Sequence, residues 1–238
     1  EILVDRLIRE FRVEAHVGKP QVSYRETITA DVKEPYELAQ MVGNRNAYAS
    51  VVLELSPIDA SAGIEFESKV DDSSIPNALI DAFRKGVVDS ASGGTLAGFP
   101  IVGVQATLHS VGVREEESTD VAFRMAGSMA FRELYDKAAA VILEPMMALE
   151  VVVPNDYVGS VINDLNGRRG KVGGMSQRHE DQVVDAEVPL AETFGYATAL
   201  RSLSQGRAVY SLQFDRFERA AQQVEDEILQ RIGRVRRD

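Results

Sequence analysis

The chain contains no cysteine, which removes disulfides, Cys-ligated zinc and a thiol nucleophile together. A cysteine-free chain fits a reducing cytoplasm, and a cytoplasmic location is expected. The three histidines, His16, His109 and His179, are scattered without metal-ligand spacing. Neither a G-x-x-x-x-G-K-[ST] phosphate loop nor a G-x-S-x-G nucleophile elbow occurs. No run approaches the roughly 18 consecutive apolar residues of a membrane span, so no membrane partner is expected. Positive charge is scarce as well: 26 Lys and Arg against 37 Asp and Glu leave a net charge of −11. A protein that simply coats nucleic acid is basic overall, so this balance excludes that class. It leaves open local RNA contact through basic loops. Adjacent carboxylates such as Glu115 to Glu117 read as a solvated face. No residue is assigned a catalytic role, and no metal or cofactor is expected in this stretch.

What is present is ordinary globular material. A content of 45% hydrophobic and 26% charged residues suits a soluble fold, and 238 residues suffice for one or two domains with a real core. The opening EILVDRLIREF mixes charge with apolar residues and is not a secretory signal. Ile2, Leu3, Leu7, Ile8 and Phe11 form the stripe of a short amphipathic helix, which Gly18 and Pro20 end as a hinge. Without an initiating Met, the chain is expected to begin inside a larger protein.

From Gln21 to about Ile142 strands and helices mix. Ala49 to Leu55 reads as a strand closed by the turn signal Ser56-Pro57, and Ile64 to Val70 as another. Ile75 to Val88 reads as a helix, with Pro76 tolerated in its first turn. A loop marked by Gly93, Gly94, Gly98 and Pro100 leads into a strand over Ile101 to His109. Ser118 to Leu143 reads as one long helix with Val121, Met125, Met129 and Ala130 on its apolar face.

The remainder spells a complete small domain. Met147 to Val153 is a strand, Asp156 to Asn166 a helix, and Lys171 to Met175 the start of a second strand. Gln182 to Val188 is a third strand, Leu190 to Leu203 a helix, and Ala208 to Phe217 a fourth strand. The order βαββαβ is that of a ferredoxin-like domain. A last amphipathic helix uses Val224, Ile228, Leu229 and Ile232 and runs into a basic tail with Arg231, Arg234, Arg236 and Arg237.

Four words within this region, LEP (143–145), VINDLNGRRG (161–170), VPLAETFGYATALRS (188–202) and QGRAVY (205–210), stand in an order that resembles the last domain of the translocation GTPase elongation factor G. Near the start, LVDRLIREFRVEAHVGKPQVSYRETI resembles the junction of that family's third and fourth domains, and LAGFP, STDVAFRMAGSMAF and VILEP fit its fourth. The resemblance implies an α+β chain of two domains. Residues 1–19 would end the third domain. Residues 20–143 would form a mixed β/α fourth domain with a ribosomal-protein-type fold. Residues 144–217 would form the ferredoxin-like fifth domain, and 218–238 a helix packing back on the fourth. The parent protein would be a GTPase using GTP and Mg in a domain lying elsewhere, so this segment itself is not an enzyme. The implied partner is the ribosome, approached as a monomer. The fourth domain would reach A-site tRNA and mRNA, and the last domain rRNA of the large subunit.

The resemblance also implies the contact residues. The first tip loop of the family, approximately K-Q-S-G-G-R-G-Q-Y-G-H-V, aligns with Gln40 to Val51, where Gly43, Arg45 and Tyr48 match. Asn46, Ala49 and Ser50 replace its glycines and histidine. In the second tip loop Arg114 stands where the family has His, and Glu115, Glu116 and Glu117 follow. An arginine can contact phosphate, whereas the acidic run repels it at close range or favours the N-terminus of the next helix. In the last domain Arg168, Arg169 and Lys171 bracket a glycine turn, and Arg201 and Arg207 flank the end of the second helix, where they would suit rRNA phosphates. The altered tips point from ordinary translocation towards a divergent paralogue acting in ribosome recycling, stress or ribosome protection. An acidic protein-interaction module without a ribosome role is the rival class.

Overall fold

The computed structural model describes residues 21–233. The Ile2 to Phe11 stripe, the Gly18 and Pro20 hinge, His16, and Arg234, Arg236 and Arg237 lie outside them. After β1 (Arg25–Ile28), two long strands form a hairpin: β2 (Val32–Val42) and β3 (Arg45–Pro57). On β3, Ala47, Ala49, Val51, Leu53 and Leu55 are buried at every second position, which lays one apolar face along the strand. β4 (Ile64–Ser68) and β5 (Val104–Gly112) complete a sheet of order β2-β3-β5-β4, in which β4 and β5 run parallel. Parallel neighbours need a crossover, and α1 (Asn77–Ser90) supplies it. With α2 (Asp120–Lys137) it packs on the apolar face.

Two expectations for this half are corrected, and two strands go unread in the sequence. β1 and β2 are not legible as strands in the sequence, because β2 carries Lys33, Glu34, Pro35 and Glu37. It lies at the edge of its sheet, where proline's missing N–H is tolerated. The apolar face expected on the second helix is largely not its core face. Ala130 is buried, but Val121 is 59% and Met129 42% exposed. The buried face is Ala122, Phe123, Ala126, Gly127, Ala130, Phe131, Leu134 and Tyr135. Its small residues win because the two helix backbones nearly touch: a Cβ on Gly86 would lie 2.0 Å from the Arg124 carbonyl oxygen, and one on Gly127 2.2 Å from that of Phe83. Finally, α2 stops at Lys137 instead of running to Leu143. Ala139 takes a left-handed φ of 51°, and the β-branched Val141 and Ile142 join a strand paired to β1.

That strand is β6 (Ala140–Pro154), the longest in the molecule's described part. Its first residues pair with β1, and the rest pairs with β8 (Asp181–Pro189) on the same side and β9 (Val209–Arg219) on the other. Together with β7 (Lys171–Arg178), the strands β9-β6-β8-β7 give the ferredoxin-like order. Leu149, Val151, Val153, Val184, Ala186 and Val188 form the apolar face beneath α3 (Val158–Gly167) and α4 (Tyr196–Leu203). The helix expected over Leu190 to Leu203 is split: a 3₁₀ turn, Leu190–Thr193, is followed by extended Phe194 and by Gly195 at φ 76°. Glycine occupies that region at no steric cost, so α4 begins only at Tyr196.

β6 belongs to both halves, and polar groups fix the joint. Glu26 of β1 is fully buried, and its carboxylate accepts hydrogen bonds from the backbone N–H groups of Leu96, Ala97 and Phe99 and from the Tyr135 hydroxyl. Gly94 is required beside it, since a Cβ there would meet Glu26 Oε2 at 1.8 Å. Burial, with Glu26 next, raises the Tyr135 phenol well above its ordinary range, so it stays a donor. The final helix, α5 (Gln222–Arg231), buries Ile228 and Leu229 against Ile142, Ala220 and the Leu96–Phe99 loop.

Candidate nucleic-acid interface

β2 spans 11 residues, roughly 35 Å at about 3.3 Å per residue. Its far end is a two-residue turn, with Val42 paired to Arg45 and Gly43 at φ 62°. A left-handed glycine at the first central position fits a type II′ hairpin, so the first tip is a tight hairpin rather than a long glycine loop. The second tip, between β5 and α2, lies beside it. The Tyr48 N–H donates to the Glu117 carbonyl at 3.1 Å, and Asn46 Nδ2 donates to Glu117 Oε1 at 3.0 Å. Ser118 Oγ accepts from the Arg114 N–H and donates to the Tyr48 carbonyl, both at 2.9 Å. Thr119 then caps α2 by accepting from the Ala122 N–H, and Asp120 occupies the first turn. Gly43, Arg45, Tyr48 and Arg114 therefore belong to one tip.

The two tip cations differ in their surroundings. The Arg114 guanidinium lies over the Tyr48 ring, 3.6 Å from its centroid, and within 3.8 Å of Glu37 and 3.7 Å of Glu117. The guanidinium is itself 54% exposed, so these long pairs are weak, and what the carboxylates chiefly do is lower the net positive potential around it. Arg45 is exposed and has no ion pair among the described residues. Glu116 adopts φ 63°, an uncommon conformation for a side-chain-bearing residue and one that a tightly closed loop imposes.

The basic residues of the last domain divide in the same way. Arg168 bonds Asp164 at 2.8 Å and the Glu192 carbonyl at 2.7 Å, with its guanidinium 5.2 Å from the Tyr196 ring centre. Arg169 makes a two-pronged pair with buried Glu144, at 2.9 and 2.8 Å, and also reaches Glu192 at 3.2 Å. The bond to Glu144 raises the Arg169 guanidinium above its ordinary range, against the opposing effect of burial. Both of these arginines are largely withdrawn from solvent. Lys171 stands 64% exposed and pairs with Glu218 at 2.9 Å, an exposed pair worth no more than about 1 kcal/mol and open to exchange. Arg201 is exposed, and the exposed Arg207 lies against Tyr157, 4.8 Å from ring centre and bonded to its hydroxyl. The turn between them is closed by the Gly206 N–H donating to the Arg201 carbonyl at 2.8 Å and the Arg207 N–H to that of Ser204 at 3.0 Å. Sequence reasoning missed the connecting roles of Asn46, Glu117 and Ser118; the only local signal was Ser118 standing beside the cap residue Thr119.

Among the described residues, no group of three or more His, Asp or Glu is placed to hold a metal ion, and no helix is long and apolar enough to cross a membrane. The fold defines a class: a ferredoxin-like domain sharing its first strand with a β/α domain that carries a hairpin tip. The chain belongs to the elongation factor G family. Residues 20–139 match the family model described as elongation factor G, domain IV, and residues 141–228 match elongation factor G C-terminus. The crystal structure of a protein from Thermus thermophilus superposes with a TM-score of 0.86 at 33% identity, covering 98% of this chain and 35% of that one. The chain thus spans about a third of that protein's length. The matched regions are the fourth and C-terminal domains, and no nucleotide-binding domain is among them.

Proposed function

We propose that this chain is the ribosome-contacting part of an elongation-factor-G-like translation GTPase. Its tip enters the A site of the small subunit against tRNA and mRNA, and its last domain holds rRNA of the large subunit. The observation that carries this reading is the joining of two segments, 70 residues apart at Tyr48 and Ser118, into one tip at the end of a long hairpin. GTP and Mg would act in the parent protein's own nucleotide-binding domain, and the work of this segment is to bind and to position.

Phosphate contacts fall to the cations that internal carboxylates leave accessible: Arg45 at the tip, and Lys171, Arg201 and Arg207 in the last domain. Arg168 and Arg169 shape the loop that presents Lys171. The tip's charge favours a specialised task over ordinary translocation, whether in recycling, stress or displacement of a bound inhibitor. Glu37 and Glu117 flank Arg114, and Glu115 and Glu116 sit beside it.

Arg45→Ala in the intact protein should weaken ribosome binding by about tenfold and reduce the salt slope by about one, as removal of one phosphate contact does. Arg114→Ala should change binding less than about threefold, because Glu37, Glu115, Glu116 and Glu117 around it leave that part of the tip net acidic. A larger loss from Arg114→Ala than from Arg45→Ala, measured by filter binding across salt, would contradict this assignment.

A further inference from the structure

We infer that Ser118 is a positioning residue, the clamp that makes two chain segments act as one RNA-facing tip; the inference deepens the ribosome-binding reading and rests on it for its functional consequence. The geometry is reciprocal. Ser118 Oγ is a hydrogen-bond acceptor for the Arg114 N–H and a donor to the Tyr48 carbonyl, each at 2.9 Å. The Ser118 N–H also donates to the Arg114 carbonyl at 3.1 Å, so residues 114–118 close into a five-residue turn tied at both backbone groups of Arg114. On its other side the same hydroxyl is fixed to β3 at Tyr48, the residue whose ring carries the Arg114 guanidinium.

One hydroxyl therefore contributes to both closure of the second loop and its attachment to the hairpin, and it is the one group bonded to Arg114 and to Tyr48 at once. An alanine lacks both the donor and the acceptor. A threonine keeps both in the same place and differs by one methyl group. The flanking contacts, Tyr48 N–H to the Glu117 carbonyl and Asn46 to Glu117, hold the same two segments, and the Ser118 N–H bond closes the turn, but none of them joins Arg114 to Tyr48 as the hydroxyl does. Glu116 at φ 63° is the strained residue of that turn, and the Ser118 bonds oppose its relaxation. Loss of the clamp frees Arg114 and its loop from the Tyr48 face of the hairpin without removing any charge.

The test uses the intact protein with Ser118→Ala and Ser118→Thr. On the free protein, amide hydrogen exchange at Tyr48 and Glu117 should quicken on the order of tenfold or more in Ser118→Ala, as loss of two hydrogen bonds allows, and return towards wild type in Ser118→Thr. Unchanged exchange in Ser118→Ala overturns the clamp whatever the ribosome does. On the ribosome, chemical footprints on small-subunit RNA should weaken in Ser118→Ala and be restored in Ser118→Thr, while large-subunit footprints stay as in wild type. A quickened exchange with an unaltered small-subunit footprint overturns the positioning role. Absence of any footprint from the wild-type protein refutes the ribosome reading instead, and the exchange result still decides the clamp.

Discussion

Replacing Arg169 with alanine is expected to cost about 3–5 kcal/mol of folding stability, the range for removing one partner of a buried ion pair. Glu144 is only 4% exposed, and both of its oxygens are held by the same guanidinium at 2.8–2.9 Å. Its attraction to Arg169 offsets the cost of taking a carboxylate out of water; without that partner the group is left buried and uncompensated. Equilibrium unfolding in urea would measure the loss. The pair's net worth is a separate matter from the cost of breaking it, because well-packed apolar residues often replace a buried pair without loss. The double change Arg169→Met with Glu144→Met should therefore recover most of the stability. A loss below about 1 kcal/mol in Arg169→Ala would show that Glu144 reaches water, where pairs are worth that little.

Gly127→Ala should destabilise the β/α domain by about 2–3 kcal/mol, although alanine is the better helix former. On an exposed helix the same change gains about 1 kcal/mol. Here the new Cβ would stand 2.2 Å from the Phe83 carbonyl oxygen and 3.1 Å from its carbon, and both are main-chain atoms of α1. Backbone cannot rotate away as the end of a side chain can, so the helices must separate, and overpacking of this kind costs about 1–3 kcal/mol or more. Steric cost exceeds propensity. Gly159→Ala in α3 is the control: its Cβ would meet nothing within 4 Å, and that variant should be neutral or more stable by up to about 1 kcal/mol. Urea midpoints moving in the same direction for the two variants would contradict this account of the helix crossing.

These two sites also mark where the sequence was legible. The ferredoxin-like order could be derived from period-two burial along Leu149, Val151 and Val153 and along Val184, Ala186 and Val188. That alternation needs only local chain geometry. The face of α2 could not be derived in the same way. Val121, Met125 and Met129 are spaced as a core stripe, yet the buried face runs through Ala122, Ala126 and Ala130, with Gly127 at the point where the second helix backbone comes close. β2 was hidden by Pro35 and its charges, which only an edge position excuses. The beginning of β6 was hidden in a run of alanines after α2, since its strand character depends on β1, more than 100 residues earlier in the chain.

The candidate interface shows the same division. Residue types located the tip: Gly43, Arg45, Tyr48 and Arg114 come together there. What those types could not reveal was which cations are committed internally. Arg169 is held by a carboxylate 25 residues away, and the Arg114 loop faces Glu37 of β2. Pairings over such separations are products of the tertiary fold, so spacing along the chain is silent about them.

The central claim is that this chain binds ribosomes through RNA phosphates, and co-sedimentation of the intact protein with ribosomes across salt tests it most directly. The account predicts binding at about 50 mM salt that falls steeply by about 200 mM, the signature of several phosphate contacts. It also predicts a shallower slope when Arg45, Arg201 and Arg207 are changed together to alanine. An intact protein that fails to sediment with ribosomes even at the low-salt end would contradict it and favour a protein-interaction module on the same fold.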